Sequence, residues 1–260
     1  MNAGIHSLFI DLLKKKSGLV HAFSSRHRGK ENGEKEELVF SRQPQSDVER
    51  RHRRWFLRSI GIDDEEVFLP RQVHGDRVYV LKDPMDSPEQ VASVEADALV
   101  THLLNRPIGV LTADCVPIVL YDSRLHVAGV IHAGRKGTSK NIFSKTIAAL
   151  HKEYGSRVEH IFAGMGPAIG GCCYEVDEAC VEPFRKNYPQ WQKFAAPSSG
   201  KKFMLDLFQA NEEDARAAGL NPHHLARLGL CTSCENHRFY SYRREGSAGR
   251  MMSVAMLRSL

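Results

Sequence analysis

In LTADCVPIVLYDSRLHVAGVIHAG, residues 111–134, a thiol and an imidazole stand at the ends of two neighbouring strand-like segments. Cys115 follows Asp114 where one segment breaks before Pro117, and His132 precedes Ala133 and Gly134 where the other ends. Upstream, His74 occupies the turn His74-Gly75-Asp76. Catalytic zinc takes three protein ligands of nitrogen or sulfur type and leaves a fourth position for water or substrate. A His, Cys, His trio meets that rule. The same thiol and imidazole also make a cysteine nucleophile with its base, and a cysteine beside an apolar strand can equally serve as a small hydrophobe. With 13 histidines in the chain, spacing alone does not select these three.

Reactive side chains meet where a rigid scaffold brings strand ends and loops together. ADALVT and IGVLTA read as strands, and PIVLYD and HVAGVIHAG flank DSRL as a hairpin. GLVHAFSSRHRG reads as a strand entering a loop, and residues 29–38 as a polar surface excursion. EVFLPRQVHGDRVYVL reads as two short strands separated by Pro70 and the His74 turn. Residues 47–60 have helical spacing, with Val48, His52, Trp55, Phe56 and Ile60 on one face, Ser46 or Asp47 as N-cap and Gly61 past the end.

TSKNIFSKTIAALHKEYG predicts a helix that turns Phe143, Ile147, Leu150 and Tyr154 inward and stops at Gly155. VEHIFAG is a strand, GMGPAIGGCCYEV a glycine-rich loop, and a helix from about Asp177 is broken by Pro183. FMLDLFQANEEDARAAGL gives a further helix stopped by Gly219. The C-terminal stretch reads as a loop, a short strand, a turn at EGSAG and a final strand. Strands and helices mix without a regular βαβ alternation, and no linker or composition shift divides the chain. The expectation is a single α+β domain over residues 1–260, with mixed β-sheets covered by helices in layers.

Composition narrows the function classes. Hydrophobic residues make up 42% and charged residues 26% of 260, ordinary for a soluble chain that buries its own core. No apolar run approaches the roughly 20 residues of a membrane helix, and the N-terminal stretch lacks a signal-peptide pattern. Six cysteines without an export signal read as thiols in a reducing cytoplasm. The net charge of +5 is densest at VERRHRRWFLRS, where the arginines fall on the solvated face of the 47–60 helix. Neither a nucleic acid nor a membrane is expected as partner.

Six motifs then follow one another in a set order: RQVHGDRV, GVLTADCVPIVLYD, IHAGRKGT, GPAIGGCCYEV, CTSC and FYSYRREGSAGRM. From about residue 20 to the C-terminus this series resembles the YfiH/YlmD/laccase-domain family, first described as multicopper polyphenol oxidases and later as purine nucleoside phosphorylases. The resemblance implies a YfiH-like α+β fold, similar to that of a toxin deamidase catalytic domain. It implies zinc held by His74, Cys115 and His132. The implied reaction is phosphorolysis of adenosine, inosine and methylthioadenosine to base and sugar 1-phosphate, with adenosine deamination at the same site.

Alternatives remain beside it. Copper accepts the same donors, which keeps a polyphenol oxidase open. A metal-free cysteine hydrolase and a nucleoside-binding regulator without catalysis are open as well. A phosphate partner calls for cations converging near the metal, and the candidates are Arg26, Lys136, Arg243 and Arg244.

The chain departs from the family's H-A-G-W-R-G, reading His132-Ala133-Gly134-Arg135-Lys136-Gly137. A lysine still holds phosphate but lacks the bidentate fork of arginine. Residues 29–43 also depart from the family pattern. Cys231 and Cys234 have ligand spacing, and with Cys172 and Cys173 they offer four thiols. Adjacent cysteines are awkward co-ligands, so packing or loop roles are expected for them in preference to a second zinc.

Overall fold

Side-chain alternation along three long strands sets the layering of the computed structural model, which describes residues 7–30, 33–63, 65–247 and 249–260. Met251–Leu257 is buried along its whole length. Met252, Val254 and Met256 enter one apolar cluster, while Met251, Ala255 and Leu257 enter another. A strand with period-two side chains and both faces apolar must lie between two layers. It pairs antiparallel with Leu19–Ser24 on one side and Ile108–Thr112 on the other, and Ser7–Leu8 completes a four-stranded sheet.

The expected hairpin is present: Val116–Asp122 runs antiparallel to Val127–Ala133, with Val116 opposite Ala133 and Pro117 opposite His132. These two strands form the centre of a six-stranded sheet. Its order is Leu225–Arg227, Ile161–Met165, Val116–Asp122, Val127–Ala133, Ala98–Thr101, Val78–Leu81. The two outermost pairs are parallel and the inner pairs antiparallel. Val119, Tyr121, Ala128 and Val130 meet Phe23, Ile108 and Val110 of the other sheet. On the opposite face, Val116, Ile118, Leu120 and Ile131 pack under the helices Ile142–Tyr154 and Leu207–Ala217. The helix Asp47–Ser59 covers the outer face of the four-stranded sheet through Phe56 and Leu57. The layers run helix, sheet, sheet, helices.

Local signals placed most elements, and the exceptions have identifiable causes. Ser46 caps Asp47–Ser59 by accepting from the Glu49 N–H, but Val48 is exposed and Arg53 is buried. Arg53 is tolerated there because its guanidinium donates to the Ser41 and Arg42 carbonyls; burial pulls it down to about 10. Residues 29–38 are more ordered than a loop, since His27–Gly29 pairs with Lys35–Glu37; residues 31 and 32 lie outside the described residues. Of the two strands expected before and after the His74 turn, only Val78–Leu81 forms, and Phe68 makes an isolated bridge to Ile108.

Pro183 does not break its helix, which runs Glu178–Asn187. The hydrogen bond that proline forgoes is to a first-turn carbonyl, and the buried Val181 and Phe184 on either side hold the helix to the core. FMLDLFQANEEDARAAGL divides: Lys202–Leu205 pairs with two strands, and the helix begins only after Asp206, which caps it by accepting from the Gln209 N–H. The short strand expected near the C-terminus is replaced by turns and by the helical turn Tyr242–Glu245. The expected turn at EGSAG includes Ala248, outside the described residues, as are residues 1–6 of the N-terminal reading. Among the described residues, no helix is long and apolar enough to cross a membrane.

Candidate metal centre and cleft

Register brings Cys115 and His132 side by side. Cys115 immediately precedes Val116–Asp122, and His132 is opposite Pro117 on the partner strand, on the face it shares with Val130. His74 enters from a turn whose backbone is left-handed at that residue, with φ 57°. A histidine in that region is uncommon and must be held by its surroundings. One ligand atom from each of His74, Cys115 and His132 lies within 4.8 Å of the others. Bonds of about 2.0–2.3 Å to a tetrahedral zinc would separate such atoms by about 3.3–3.8 Å. The two imidazoles meet edge to face at 4.8 Å between centroids.

Asp97 is what holds them. Fully buried, its carboxylate accepts from the backbone N–H of Val73, His74 and Gly75 at 3.2, 3.0 and 2.7 Å, and from His132 Nδ1 at 2.7 Å. An ionised carboxylate only accepts, so Nδ1 carries a proton, and Nε2 becomes the ligand atom toward the centre once its own proton is released. Burial pushes the Asp97 carboxyl up, and the His132 and backbone hydrogen bonds outweigh it, leaving it below its ordinary range. Burial likewise opposes charge on Cys115 and His132. Their mutual attraction wins, lowering the thiol and raising the imidazole. The site therefore favours a thiolate, the form that binds metal.

Two glycines keep it open. A Cβ on Gly134 would lie 3.0 Å from Cys115 Sγ and 3.1 Å from His74 Cδ2. A Cβ on Gly137 would lie 2.5 Å from the Gly75 carbonyl oxygen, so the short helix Arg135–Ser139 abuts the His74 turn directly. Gln72 fastens the same turn to the strand end by exchanging two hydrogen bonds with the Leu111 backbone, at 2.8 and 2.9 Å.

The trio lies in a cleft of about 1000 Å³. Lys136 and Arg243, both singled out from sequence, line it, and so do Arg42, Arg135 and Arg250. Ile169, Tyr174 and Tyr242 give it apolar wall. Arg243 is placed by Asp114, a strained residue at φ 91° whose carboxylate accepts from the Arg243 N–H and the Thr232 hydroxyl, both at 2.6 Å. Its guanidinium lies 4.9 Å from the Tyr174 ring centroid and donates to the Glu175 carbonyl.

Arg26 and Arg244 do not join the cleft lining. Arg26 is held between Glu37 and Glu245 and over the Tyr240 ring. Arg244 donates to the carbonyls of Thr232, Ser233 and Phe239. Asp97 and Arg42 carry no sequence signal as site residues, whereas Gln72 and Arg250 lie within the RQVHGDRV and FYSYRREGSAGRM motifs without being singled out there.

The sequence profile of the family described as multi-copper polyphenol oxidoreductase laccase matches residues 20–258. A protein named adenosine deaminase RL5, from an unknown prokaryotic organism, is 38% identical over 193 residues, 72% of this chain and 73% of its own. A purine nucleoside phosphorylase of Clostridium acetobutylicum is 34% identical over 191 residues, 73% of this chain and 76% of its own. The crystal structure of Bacillus licheniformis YfiH superposes with a TM-score of 0.88 at 28% identity, covering 98% of this chain and 97% of that one. YlmD from Geobacillus stearothermophilus gives 0.82 at 27% identity, covering 94% and 93%.

Proposed function

Since the chain belongs to the multi-copper polyphenol oxidoreductase laccase family, that of YfiH and YlmD, we propose that it is a zinc-dependent purine nucleoside phosphorylase. Its substrates in this reading are adenosine, inosine and methylthioadenosine, and adenosine deamination takes place at the same site. The observation that carries the reading is the convergence of His74, Cys115 and His132 in a cleft that Lys136, Arg135 and Arg243 also line. Relatives named purine nucleoside phosphorylase and adenosine deaminase support both activities.

His74 and His132 through nitrogen and Cys115 through sulfur would hold the ion, a donor set that suits zinc and leaves room for a fourth partner. Zinc held there supplies Lewis-acid chemistry. The chain supplies the rest. Asp97 orients the His132 ring through Nδ1, and Ile169 and Tyr174, which line the cleft, would offer apolar contact to the purine. Lys136, Arg135 and Arg243 hold phosphate. An oxygen of hydrogen phosphate forms a bond to the anomeric carbon of the sugar, the carbon–nitrogen bond to the purine breaks, and the proton carried by the phosphate passes to the departing base. Fixed cations stabilise such a reaction most when they already face the charge that moves.

Purified protein incubated with adenosine is expected to yield adenine and ribose 1-phosphate only when phosphate is present, and inosine with ammonia whether or not it is. Cys115→Ala and His132→Ala are expected to abolish both. Undiminished product formation by either variant overturns the assignment. The Asp97, His132 and Cys115 alignment also suits a metal-free cysteine hydrolase; activity that survives exhaustive chelation and fails on alkylation of Cys115 would favour it. Copper accepts the same donors, and metal analysis of protein prepared without added copper separates that case.

A further inference from the structure

Four more thiols converge outside the cleft. The Sγ atoms of Cys172, Cys173, Cys231 and Cys234 all lie within 4.8 Å of one another. Cys172 and Cys173 are 3.6 and 3.4 Å from Cys234. These separations are close to the edge of a tetrahedral tetrathiolate zinc, about 3.8 Å for bonds of about 2.3 Å. They are well beyond the roughly 2.05 Å of a disulfide, and all four are free thiols. We propose that Cys172, Cys173, Cys231 and Cys234 bind a structural zinc ion that clamps the loop after Met165 to the loop after Leu230.

Adjacency of Cys172 and Cys173, which argued against such a site, is overcome by the backbone. The N–H groups of Cys173 and Tyr174 both turn back to the Gly170 carbonyl, at 3.0 and 3.2 Å. That tight turn lets two successive side chains reach the same sulfur of Cys234. The other pair is on a helix-like turn closed by the Glu235 N–H on the Cys231 carbonyl at 3.0 Å. Gly170 fits the cradle: a Cβ there would lie 3.2 Å from Cys172 Sγ and 3.4 Å from Cys231 Cβ. Its N–H points at Cys231 Sγ, 3.3 Å away, a donor of the kind that stabilises metal thiolates.

Arg244 completes the surroundings. By donating to the Thr232 and Ser233 carbonyls at 2.7 and 2.9 Å, it fixes the two residues between Cys231 and Cys234. Binding releases the thiol protons to solvent as the four sulfurs become ligands. The clamp bears on the cleft without belonging to it. Asp114, which precedes Cys115, accepts from the Thr232 hydroxyl of one loop, and its carbonyl accepts from the Ile169 N–H of the other at 2.9 Å.

Metal content of protein purified without chelator tests the proposal. Wild type is expected to hold two zinc equivalents, the Cys172→Ser/Cys234→Ser double variant one, and the His74→Ala/His132→Ala double variant also one. The last protein keeps the cysteine loops intact. After exchange of its zinc for cobalt it is expected to show intense thiolate-to-metal charge-transfer absorption, which Cys172→Ser/Cys234→Ser in the same background removes. If the histidine variant binds no metal, or native protein carries a disulfide among these cysteines by mass, the proposal is overturned, even should the cysteine variant fail to fold. Failure of the cleft assignment would read differently, as one equivalent in wild type that persists in the histidine variant.

Discussion

Asp97 concentrates at one carboxylate the positioning of two of the three candidate ligands, because it binds the backbone of the His74 turn and the ring of His132 together. An amide of the same shape keeps one acceptor oxygen but loses the charge and the second acceptor. Asp97→Asn is expected to weaken zinc binding at the trio about 10- to 100-fold, read by competition with a chromophoric chelator. Nothing in the sequence marked Asp97 among 31 acidic residues, because its importance lies in contacts 22 to 35 positions away. His74, Cys115 and His132 were legible only as members of an ordered motif series. Arg26 and Arg244 illustrate the converse: a cation near a motif looks the same in sequence whether it faces the cleft or grips a carbonyl. Arg26→Ala is accordingly expected to leave the KM for phosphate unchanged, since Glu37 and Glu245 already occupy its donors. Lys136→Arg is expected to lower that KM several-fold by restoring a fork that matches phosphate, measured from initial rates at fixed nucleoside.

At the scale of elements, the patterns that held were those whose signal is local. The helix ending at Gly155 and the 116–133 hairpin have periodicity, caps and turn in one window. Those that failed were decided from outside the window. Lys202–Leu205 is a strand because two other strands border it, and Arg53 is buried because a loop turns two carbonyls toward it. The helix Arg135–Ser139 is a further case, too short for periodicity to show and fixed by contact with the His74 turn. That contact is backbone against backbone at Gly137, so neither side can yield by rotating a side chain. Gly137→Ala is expected to cost roughly 1–3 kcal/mol of stability by overpacking and to lower zinc occupancy of the trio. Chemical denaturation and metal analysis of the same preparation check both.

For the molecule as a whole, the joint between the two sheets should set its acid sensitivity. His21 lies in the four-stranded sheet, 2% exposed, and its Nε2 accepts the Ile10 N–H at 3.0 Å. Ile10 and Leu13 in turn press on Gly164 of the six-stranded sheet, where a Cβ would lie 2.8 Å from each. A ring that accepts at Nε2 must be neutral, and burial first, then the Lys14 cation, lowers His21 from 6.5 to about 4. The folded state thus binds fewer protons than the unfolded chain between those values, and stability there rises with pH. The contribution of His21 is fully present above pH 6.5 and is lost as pH falls toward 4, amounting to roughly 3 kcal/mol. The buried Cys115 and His132 pair, each shifted by the other, adds a pH dependence of its own. Subtraction removes it. The difference in urea midpoint between wild type and His21→Gln is expected to shrink as pH falls from 6.5 to 4, because the variant has no imidazole to protonate. A difference that stays constant over that interval would show that His21 does not couple the sheets through its neutral ring.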